Sequence, residues 1–274
     1  MKVGIVGLGL MGGSLGIALK KRIKNVKIFG YDHNQDHAKE ALQLRLVDKI
    51  VTFEELKKLD IIFLTIPVEA IIDILQDLKD IDKNTTIVDF GSTKEKIVNS
   101  VPKEIKENFI PAHPMSGTEK FGPSAAIDGL YENKIVVLCN INNRQNIHAK
   151  KAIDLFNKIG MKIVYMDAKE HDMHAAYISH LPHAISYALA NAVMKQENPE
   201  SILVLAAGGF RDMGRLAKSS PNMWSDIFKQ NRQNLLDSIE MFEKELATCK
   251  ELVQNEKYDE LKKWMHSAVA LHDI

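Results

Sequence analysis

A glycine pattern near the N terminus constrains the fold more than any other feature. It follows an apolar strand pattern and begins a helical one, and it reads Gly7-Leu8-Gly9-Leu10-Met11-Gly12. The first glycine permits a tight turn, the second lets the backbone approach a pyrophosphate, and the third allows close packing of helix on strand. Free N–H groups at the start of the helix then bind phosphate. All six residues are therefore predicted to bind a dinucleotide.

An acidic residue, Asp32, stands at the end of the second predicted strand. Its carboxylate can accept hydrogen bonds from both hydroxyls of the adenosine ribose, and it would repel a 2′-phosphate. No arginine occurs in the next three residues, His33-Asn34-Gln35. NAD is therefore predicted in preference to NADP. The alternative role for Asp32 is an N-cap for the helix that follows, although the strand, the glycines and the acid together favour the cofactor role.

Short apolar runs alternate with helical patterns from residue 2 to about residue 166, which predicts an α/β Rossmann-type domain with a mainly parallel sheet. The predicted strands are Val3–Val6, Val26–Tyr31, Ile61–Ile66, Thr86–Phe90, Phe109–Ala112, Ile135–Cys139 and Lys162–Met166. After Met166 no strand pattern occurs, and apolar residues recur at helical spacing. The predicted domains are 1–166, which binds the nucleotide, and 167–274, which is all-helical.

Three helical stretches are predicted in the second domain: Ala168–Val193 with a kink at Pro182, Ser201–Lys218, and a segment that starts at Pro221. The last segment carries an apolar seam at heptad-like spacing. The seam residues are Leu235, Ile239, Phe242, Leu246, Cys249 and Val253. Packing within one subunit and a helical dimer interface explain such a seam equally well.

Composition excludes several classes of protein. The chain has 274 residues, of which 45% are hydrophobic, and its 36 basic and 36 acidic residues balance. Without a basic block, nucleic acid and anionic membrane are poor partners. No run approaches the ~18 apolar residues of a membrane span, and the N-terminal glycines make a poor signal peptide. We expect a cytoplasmic protein whose two cysteines, Cys139 and Cys249, are reduced.

Residues at the ends of later strands complete the predicted cofactor site. Thr65 and Pro67 should border the adenine and ribose, whereas Gly91 and Ser92 should face the nicotinamide, because ligands bind beyond the carboxyl ends of such strands. For Ser92, capping of the helix that begins near Lys94 is a nearly equal alternative.

His113 follows the fifth predicted strand at this same edge, where a hydride-transfer enzyme needs a base for a hydroxyl proton. Imidazole has an ordinary pKa near 6.5, which suits that role. Nine other histidines compete with it. Four of them lie along the first helix of the second domain: His171, His174, His180 and His183. They either form a polar face or line the cleft, and their spacing matches no metal motif, so no metal is predicted.

Two arginines in GGFRDMGRLA, Arg211 and Arg215, are four residues apart and should project from one helical face. A guanidinium can hold a carboxylate through two hydrogen bonds, so either arginine is a candidate for substrate binding. Surface pairing with nearby acids is the alternative. On these residues alone, the chain is an NAD-dependent oxidoreductase acting on a small carboxylate.

The motifs together resemble the prephenate dehydrogenase family, which includes arogenate dehydrogenases. The matching stretches span almost the whole chain: GLGLMGGSLG, DFGSTK, AHPMSGTE, EHD, SHLPHA, GGFRDMGRLA and PNMW. The resemblance implies a Rossmann-type domain followed by a helical substrate-binding and dimerisation domain. It also implies NAD-dependent oxidative decarboxylation of prephenate, a small dicarboxylate, to 4-hydroxyphenylpyruvate in tyrosine biosynthesis, by a homodimer joined through its C-terminal helices.

The resemblance also implies roles for individual residues. His113 matches the catalytic histidine and Ser92 a serine beside it, while Arg215 matches the arginine that binds a substrate carboxylate. The remaining matches are His183, Thr118 and Glu119 in the substrate pocket, with Trp224 and Asp212 as supports. Gly214 departs from the family, in which a threonine is common before the arginine.

Three alternative functions each share part of this pattern. Arogenate differs from prephenate only in its side chain, and SHLPH favours prephenate. A β-hydroxyacid dehydrogenase would need a lysine in a helical-domain motif, which the sequence does not offer. A non-catalytic NAD-binding sensor need not keep His113, Arg215 and His183 together.

Overall fold

The sheet is the centre of the fold. A computed structural model describes residues 1–273, so Ile274, the last residue of the predicted helical domain, lies outside the described residues. The strands are β1 Lys2–Val6, β2 Lys27–Tyr31, β3 Lys49–Ile50, β4 Ile61–Leu64, β5 Thr86–Asp89, β6 Phe109–Pro114, β7 Ile135–Cys139 and β8 Lys162–Met166. They form one sheet in the order β3-β2-β1-β4-β5-β6-β7-β8. The chain crosses over between β3 and β4, so the ends of β1 and β4 lie at a topological switch point.

Every neighbouring pair of strands is parallel except β6 and β7. The prediction of a mainly parallel Rossmann-type sheet is therefore confirmed. Strand β6 pairs in parallel with β5 up to Pro111 and antiparallel with β7 from Ala112 onward. The predicted end of this strand at Ala112 was wrong, because the pairing with β7 carries it through His113 to Pro114. The two-residue strand β3 was not predicted.

Helices cover both faces of the sheet, and the two largest apolar clusters lie beneath them, one on each side. The helices that alternate with strands are α1 Leu10–Arg22, α2 Gln35–Gln43, α3 Phe53–Leu56, α4 Val68–Asp77, α5 Glu95–Asn99 and α6 Ile147–Lys158. The later helices are α7 Ala168–Ala175, α8 Leu181–Met194, α9 Pro199–Val204, α10 Gly208–Gly214, α11 Pro221–Gln230, α12 Arg232–Gln254 and α13 Tyr258–Val269.

The helix predicted from Ala168 to Val193 is interrupted just before its proline. Residues Ala176–His180 form a π-helical turn between α7 and α8, and Pro182 lies in the first turn of α8. Proline has no N–H to donate and its ring clashes with the carbonyl four residues earlier, so the wider turn relieves the clash without ending the helix. A kink at Pro182 was predicted, and the structure shows a π-helical turn just before this residue.

The predicted helix Ser201–Lys218 was wrong, because the segment breaks into α9, α10 and a 3₁₀ turn at Arg215–Lys218. The two arginines consequently lie in different elements, with Arg211 inside α10 and Arg215 in the tighter turn after it. Their projection from one regular helical face was therefore also wrong. Paired glycines, Gly208 and Gly209, have low helix propensity and lie where α10 begins.

By internal contacts the chain forms two compact units, the first spanning Met1–Asn231 and the second beginning at Arg232. Helix α11 belongs to the first unit, and its Trp224 and Ile227 join one of the two largest apolar clusters of the sheet. In the second unit α12 carries the heptad-like seam, where Leu246 and Val253 remain 58% and 48% exposed. No helix among residues 1–273 is long and apolar enough to cross a membrane.

Candidate active site

The glycine loop joins β1 to α1 and leaves the start of that helix open. Gly7 has a positive φ of 87°, which favours glycine, and Gly9 is the N-cap of α1 without a side-chain cap. A Cβ on Gly12 would overlap the carbonyl oxygen of Gly7, whereas a Cβ on Gly9 would find its nearest atom 3.8 Å away. The loop is therefore tightly packed at Gly12 and open at Gly9, as a pyrophosphate site requires.

The other three residues of the glycine motif contribute mainly through their backbone. Leu8 and Leu10 are buried, and Met11 is partly buried. The carbonyl oxygen of Met11 accepts a hydrogen bond from the Tyr131 hydroxyl at 2.6 Å, which ties the start of α1 to the segment before β7.

Asp32 is buried at the end of β2 and faces the glycine loop. Its carboxylate accepts hydrogen bonds from the backbone N–H groups of Leu8, at 2.8 Å, and Asn34, at 2.9 Å. A carboxylate offers about four acceptor sites, so two remain for ribose hydroxyls. The alternative N-cap role is wrong, since the side chain of Asn34 caps α2 by accepting from the N–H groups of Asp36 and His37.

Thr65 locks the glycine loop from the neighbouring strand. Its hydroxyl donates toward the carbonyl oxygens of Gly7, at 2.6 Å, and Val6, at 2.9 Å. Pro67 follows as the N-cap of α4. Both residues lie beyond the carboxyl end of β4, beside the switch point.

Gly91 and Ser92 follow β5 at the same edge. The N–H of Gly91 donates to Asp89 at 3.0 Å, and a Cβ at this position would stand 2.6 Å from Ile97. Ser92 is partly buried and does not cap α5. Instead, the carboxylate of Asp172 accepts from the N–H groups that begin this helix. The capping alternative for Ser92 is therefore wrong.

A buried ion pair fixes the backbone just before His113. Lys94 and Asp89 are both fully buried and in direct contact. The Lys94 ammonium also donates to the carbonyl oxygen of Ala112 at 2.8 Å, while Asp89 accepts from the N–H of Ala112 at 3.2 Å. The backbone N–H and C=O of Ala112 are thus both hydrogen-bonded, the first to Asp89 of β5 and the second to Lys94 in the loop after it. A buried pair satisfied in this way specifies position more than it adds stability.

His113 lies in β6 opposite Val137, with its side chain partly buried against a second histidine. Its Nδ1 is 2.8 Å from Nε2 of His171, and the two rings meet edge to face at 5.0 Å. Burial lowers the pKa of His113 well below 6.5, and the nearby His171 and Lys94 lower it further. The imidazole is therefore neutral at pH 7 and can accept a proton.

The histidines of the following helical segment differ in their surroundings. His171 and His180 are buried, and only His174 lies on the exposed face, near Glu170. Burial lowers the pKa of His180 to about 4, and its Nδ1 accepts from the side-chain amide of Asn231 at 3.0 Å. The polar-face interpretation therefore fails for His171 and His180.

His183 and Trp224 form a flat aromatic wall. Their rings stack with centroids 3.5 Å apart and an interplanar angle of 22°. Nδ1 of His183 donates to the carbonyl oxygen of Ser179 at 2.9 Å, which leaves Nε2 able to accept. Burial lowers the pKa of His183, and the charge of Arg215 lowers it further, so this wall is neutral at pH 7.

Arg215 pairs with the loop that follows β6. Its guanidinium is 3.6 Å from the carboxylate of Glu119 and 56% of its side chain is exposed. Thr118, in the same loop, is exposed, and its hydroxyl accepts from the N–H of Lys120 at 3.2 Å. Arg211 and Asp212 are also exposed.

Three charged residues of the site were not given roles from the sequence: Asp89, Lys94 and Asp172. Asp89 and Lys94 lie in the stretch DFGSTK, and Asp172 lies in EHD. The sequence signals that could have identified them are the apolar strand that ends at DFGSTK and the histidine that precedes Asp172. Their burial and partners depend on tertiary contacts between β5, β6 and α7. Within residues 1–273 no group of three or more His, Cys, Asp or Glu side chains could hold a metal ion.

An open helix N terminus behind a glycine turn, an acid at the end of β2 and a neutral histidine at the same sheet edge define a class, the Rossmann-type dinucleotide-dependent oxidoreductases. Two family models match the chain. "Prephenate dehydrogenase, nucleotide-binding domain" covers residues 15–165, and "Prephenate dehydrogenase, dimerization domain" covers residues 167–267. The chain belongs to the prephenate dehydrogenase family.

Individual relatives agree with this assignment. Prephenate dehydrogenase of Bacillus subtilis is 31% identical over 98% of this chain and 74% of its own length. The crystal structure of prephenate dehydrogenase from Aquifex aeolicus with hydroxyphenyl propionate and NAD+ is 33% identical, with a TM-score of 0.91 over 99% of this chain and 97% of that one. Arogenate dehydrogenase of Synechocystis is 28% identical, with a TM-score of 0.81 over 100% of this chain and 99% of that one.

Proposed function

We propose that this protein is an NAD-dependent prephenate dehydrogenase that converts prephenate to 4-hydroxyphenylpyruvate and carbon dioxide in tyrosine biosynthesis. The observation that carries the proposal is His113, a neutral histidine held in β6 at the carboxyl edge of a dinucleotide-binding sheet. Membership of the family and the relatives named for this activity support it.

The residues present fit NAD. The pyrophosphate would lie on the open start of α1 at Gly9, and the ribose would bind the remaining acceptor sites of Asp32. Thr65 and Pro67 would border the adenosine half, while Gly91 and Ser92 would face the nicotinamide. When bound, NAD supplies the hydride acceptor. The buried carboxylate of Asp32 disfavours a 2′-phosphate, which supports NAD over NADP.

The reaction requires the protein to accept one proton, that of the C4 hydroxyl. With NAD and prephenate bound, the ring C4 would give up hydride, the C4 hydroxyl would give its proton to His113, and the C–C bond to the ring carboxylate would break to release carbon dioxide as the ring becomes aromatic. Nε2 is the nitrogen of His113 that can accept this proton, since Nδ1 is engaged by His171. Ser92 would lie beside the reacting hydroxyl.

Substrate binding requires a cation and an apolar wall. Arg215 would hold a carboxylate of prephenate, in place of or beside its contact with Glu119. The stacked rings of His183 and Trp224 would pack against the substrate, and Nε2 of His183 could accept a hydrogen bond. Thr118 and Glu119 would form the rim. Helix α10 ends at Gly214, which supplies no side-chain hydroxyl to steady Arg215.

The proposal extends to the oligomeric state and the cellular compartment. The exposed seam of α12, in a region matched by a dimerization-domain model, supports a homodimer joined through the C-terminal helices. The domain boundary near residue 166 stays a prediction, as does the absence of nucleic-acid and membrane partners. Free thiols at Cys139 and Cys249 support a reducing compartment such as the cytoplasm.

Arogenate is the second candidate substrate, favoured by the similarity to the Synechocystis enzyme. The test follows NADH absorbance with purified protein, NAD and either prephenate or arogenate, and repeats both with NADP. We expect the higher kcat/KM for NAD with prephenate. Faster turnover of arogenate would reassign the substrate, and no reduced cofactor from any combination would refute the proposed function.

A further inference from the structure

Three side chains form a continuous hydrogen-bonded line that begins at the proposed base. Nδ1 of His113 is 2.8 Å from Nε2 of His171, and Nδ1 of His171 is 2.8 Å from Oδ1 of Asp172. His171 and Asp172 are 3% and 2% exposed. The line therefore lies in the protein interior and ends at the one member, His113, that is partly accessible.

Asp172 is the fixed end of the line. Its Oδ1 accepts from the N–H of Lys94 at 2.7 Å, and its Oδ2 accepts from the N–H of Glu95 at 2.9 Å. The side-chain amide of Asn231 donates to the carbonyl oxygen of Asp172 at 2.6 Å, which also holds its backbone. Both carboxylate oxygens of Asp172 thus accept backbone N–H groups, and a carboxylate that carries no proton can only accept.

The direction of every hydrogen bond in the line follows from this end. Because Asp172 only accepts, Nδ1 of His171 must carry a proton. A neutral His171 then has its lone pair on Nε2, so Nδ1 of His113 must carry the proton that is donated there. The remaining nitrogen of His113, Nε2, is left with a free lone pair. None of the described residues makes a hydrogen bond at that nitrogen.

We propose that His171 and Asp172 are positioning residues that hold His113 in the tautomer with its proton on Nδ1, so that Nε2 is the nitrogen that accepts the substrate proton. This inference rests on the proposed function. The same geometry places a carboxylate behind the imidazolium that forms when Nε2 accepts a proton, and so stabilises it.

The surroundings of His113 explain why such support matters. Burial destabilises the protonated form of His113, and the charge of Lys94 acts in the same direction. Asp89 is occupied by Lys94 and by the N–H groups of Gly91 and Ala112. Asp172 is therefore the carboxylate that reaches the imidazole of His113 through a hydrogen-bonded neighbour.

The tautomers can be observed directly in the NAD-bound protein without substrate. Long-range ¹H–¹⁵N correlation spectra of ¹⁵N-histidine-labelled protein distinguish a proton on Nδ1 from one on Nε2, and His113→Asn and His171→Gln assign the signals. We expect the proton on Nδ1 in both His113 and His171. A proton on Nε2 of His113, or a doubly protonated His171, would overturn the inference.

Two substitutions of His171 test the role in catalysis. Glutamine places an amide where Nε2 lies and can present its oxygen to His113, whereas asparagine mimics Nδ1 and leaves His113 without an acceptor. We expect kcat to fall about 10²-fold in His171→Asn. This loss is larger than the usual effect of removing one orienting hydrogen bond and smaller than the effect of fixing the wrong tautomer. His171→Gln should recover at least about tenfold of that loss, with KM for NAD unchanged in both.

A matched control is His148→Gln. His148, on α6, is also buried, and its Nδ1 lies 2.8 Å from the hydroxyl of Thr86, which begins β5 at the end opposite Asp89 and the site. The His148→Gln variant should have a lower Tm than wild type but the same kcat. Equal kcat in His171→Asn and His171→Gln would refute the positioning role. Loss of NADH formation from wild-type protein would instead refute the proposed function, because the tautomer measurement does not depend on turnover.

Discussion

Gly9 is the N-cap of α1 and Gly12 lies in its first turn, and the structure predicts opposite consequences for the same substitution at each. In Gly12→Ala, the new Cβ would overlap the carbonyl oxygen of Gly7 and stand 2.6 Å from Oγ1 of Thr65 and 2.9 Å from Cγ2 of Ile5. Real Cβ atoms essentially never approach other atoms within 3.0 Å. The Gly7 oxygen belongs to the backbone and cannot rotate away, so α1 must shift from β1.

The magnitude follows from two opposing effects. Overpacking against backbone costs about 3 kcal/mol or more, the upper end of the usual range. Alanine in place of glycine inside a helix recovers about 1 kcal/mol. The free energy of unfolding should therefore fall by about 2 kcal/mol or more, which lowers Tm by at least roughly 4 °C in a chain of this size.

Gly9→Ala is the matched control, because its Cβ meets no atom closer than 3.8 Å and φ is −74° at this position. Its Tm should stay within the small change expected of a surface substitution, about 0.5 kcal/mol. The methyl group would nevertheless occupy the space that the pyrophosphate needs, so we expect KM for NAD to rise at least about tenfold.

Differential scanning calorimetry gives Tm for both variants, and NADH absorbance gives KM for NAD. A Tm for Gly12→Ala equal to that of wild type would refute the packing argument. If Gly9→Ala kept wild-type affinity for NAD, the pyrophosphate would not lie on this loop.

Three further predictions concern the base, the substrate cation and the interface. Because burial lowers the pKa of His113 well below 6.5, the base is neutral at pH 7; kcat/KM should be flat above that pH and fall only in acid, and a midpoint at or above pH 7 would contradict this assignment. Arg215→Lys should raise KM for prephenate about tenfold or more with a smaller change in kcat, since lysine lacks the planar fork, whereas Arg211→Lys should not; equal effects would remove the distinction between the two arginines. Leu246→Glu, in the exposed seam of α12, should convert a dimer to monomers in light scattering while Thr248→Glu does not, and a stable dimer in Leu246→Glu would exclude the seam as the interface.

Local patterns were sufficient to predict most of the sheet and the backbone of the glycine loop. The apolar runs of β7 and β8 gave the observed strand bounds, and the glycines of the first loop meet the steric needs inferred for them. These features depend on residues close in the sequence, whose periodicity and spacing directly reflect the backbone that they form.

The features that were missed depend on distant partners. His113 continues β6 because β7 pairs with it antiparallel, which no local pattern of FIPAHP reveals. Lys94 and Asp172 are charged residues of a kind that usually lies at the surface, yet both are buried, and the hydrogen bond from the Lys94 N–H to the Asp172 carboxylate joins residues 78 apart in the sequence. These contacts form only when α7 packs against the edge of the sheet. That packing depends on residues far apart in the sequence, so no local pattern predicts it.

The central claim is that His113 accepts the hydroxyl proton during hydride transfer. Stopped-flow measurement of NADH formation in a single turnover of prephenate, by wild type and by His113→Asn at pH 7.5 with saturating NAD, tests it most directly. We predict a rate at least about 10²-fold lower in the variant, with substrate binding and Tm nearly unchanged. An unimpaired rate in His113→Asn would contradict the assignment of His113 as the base.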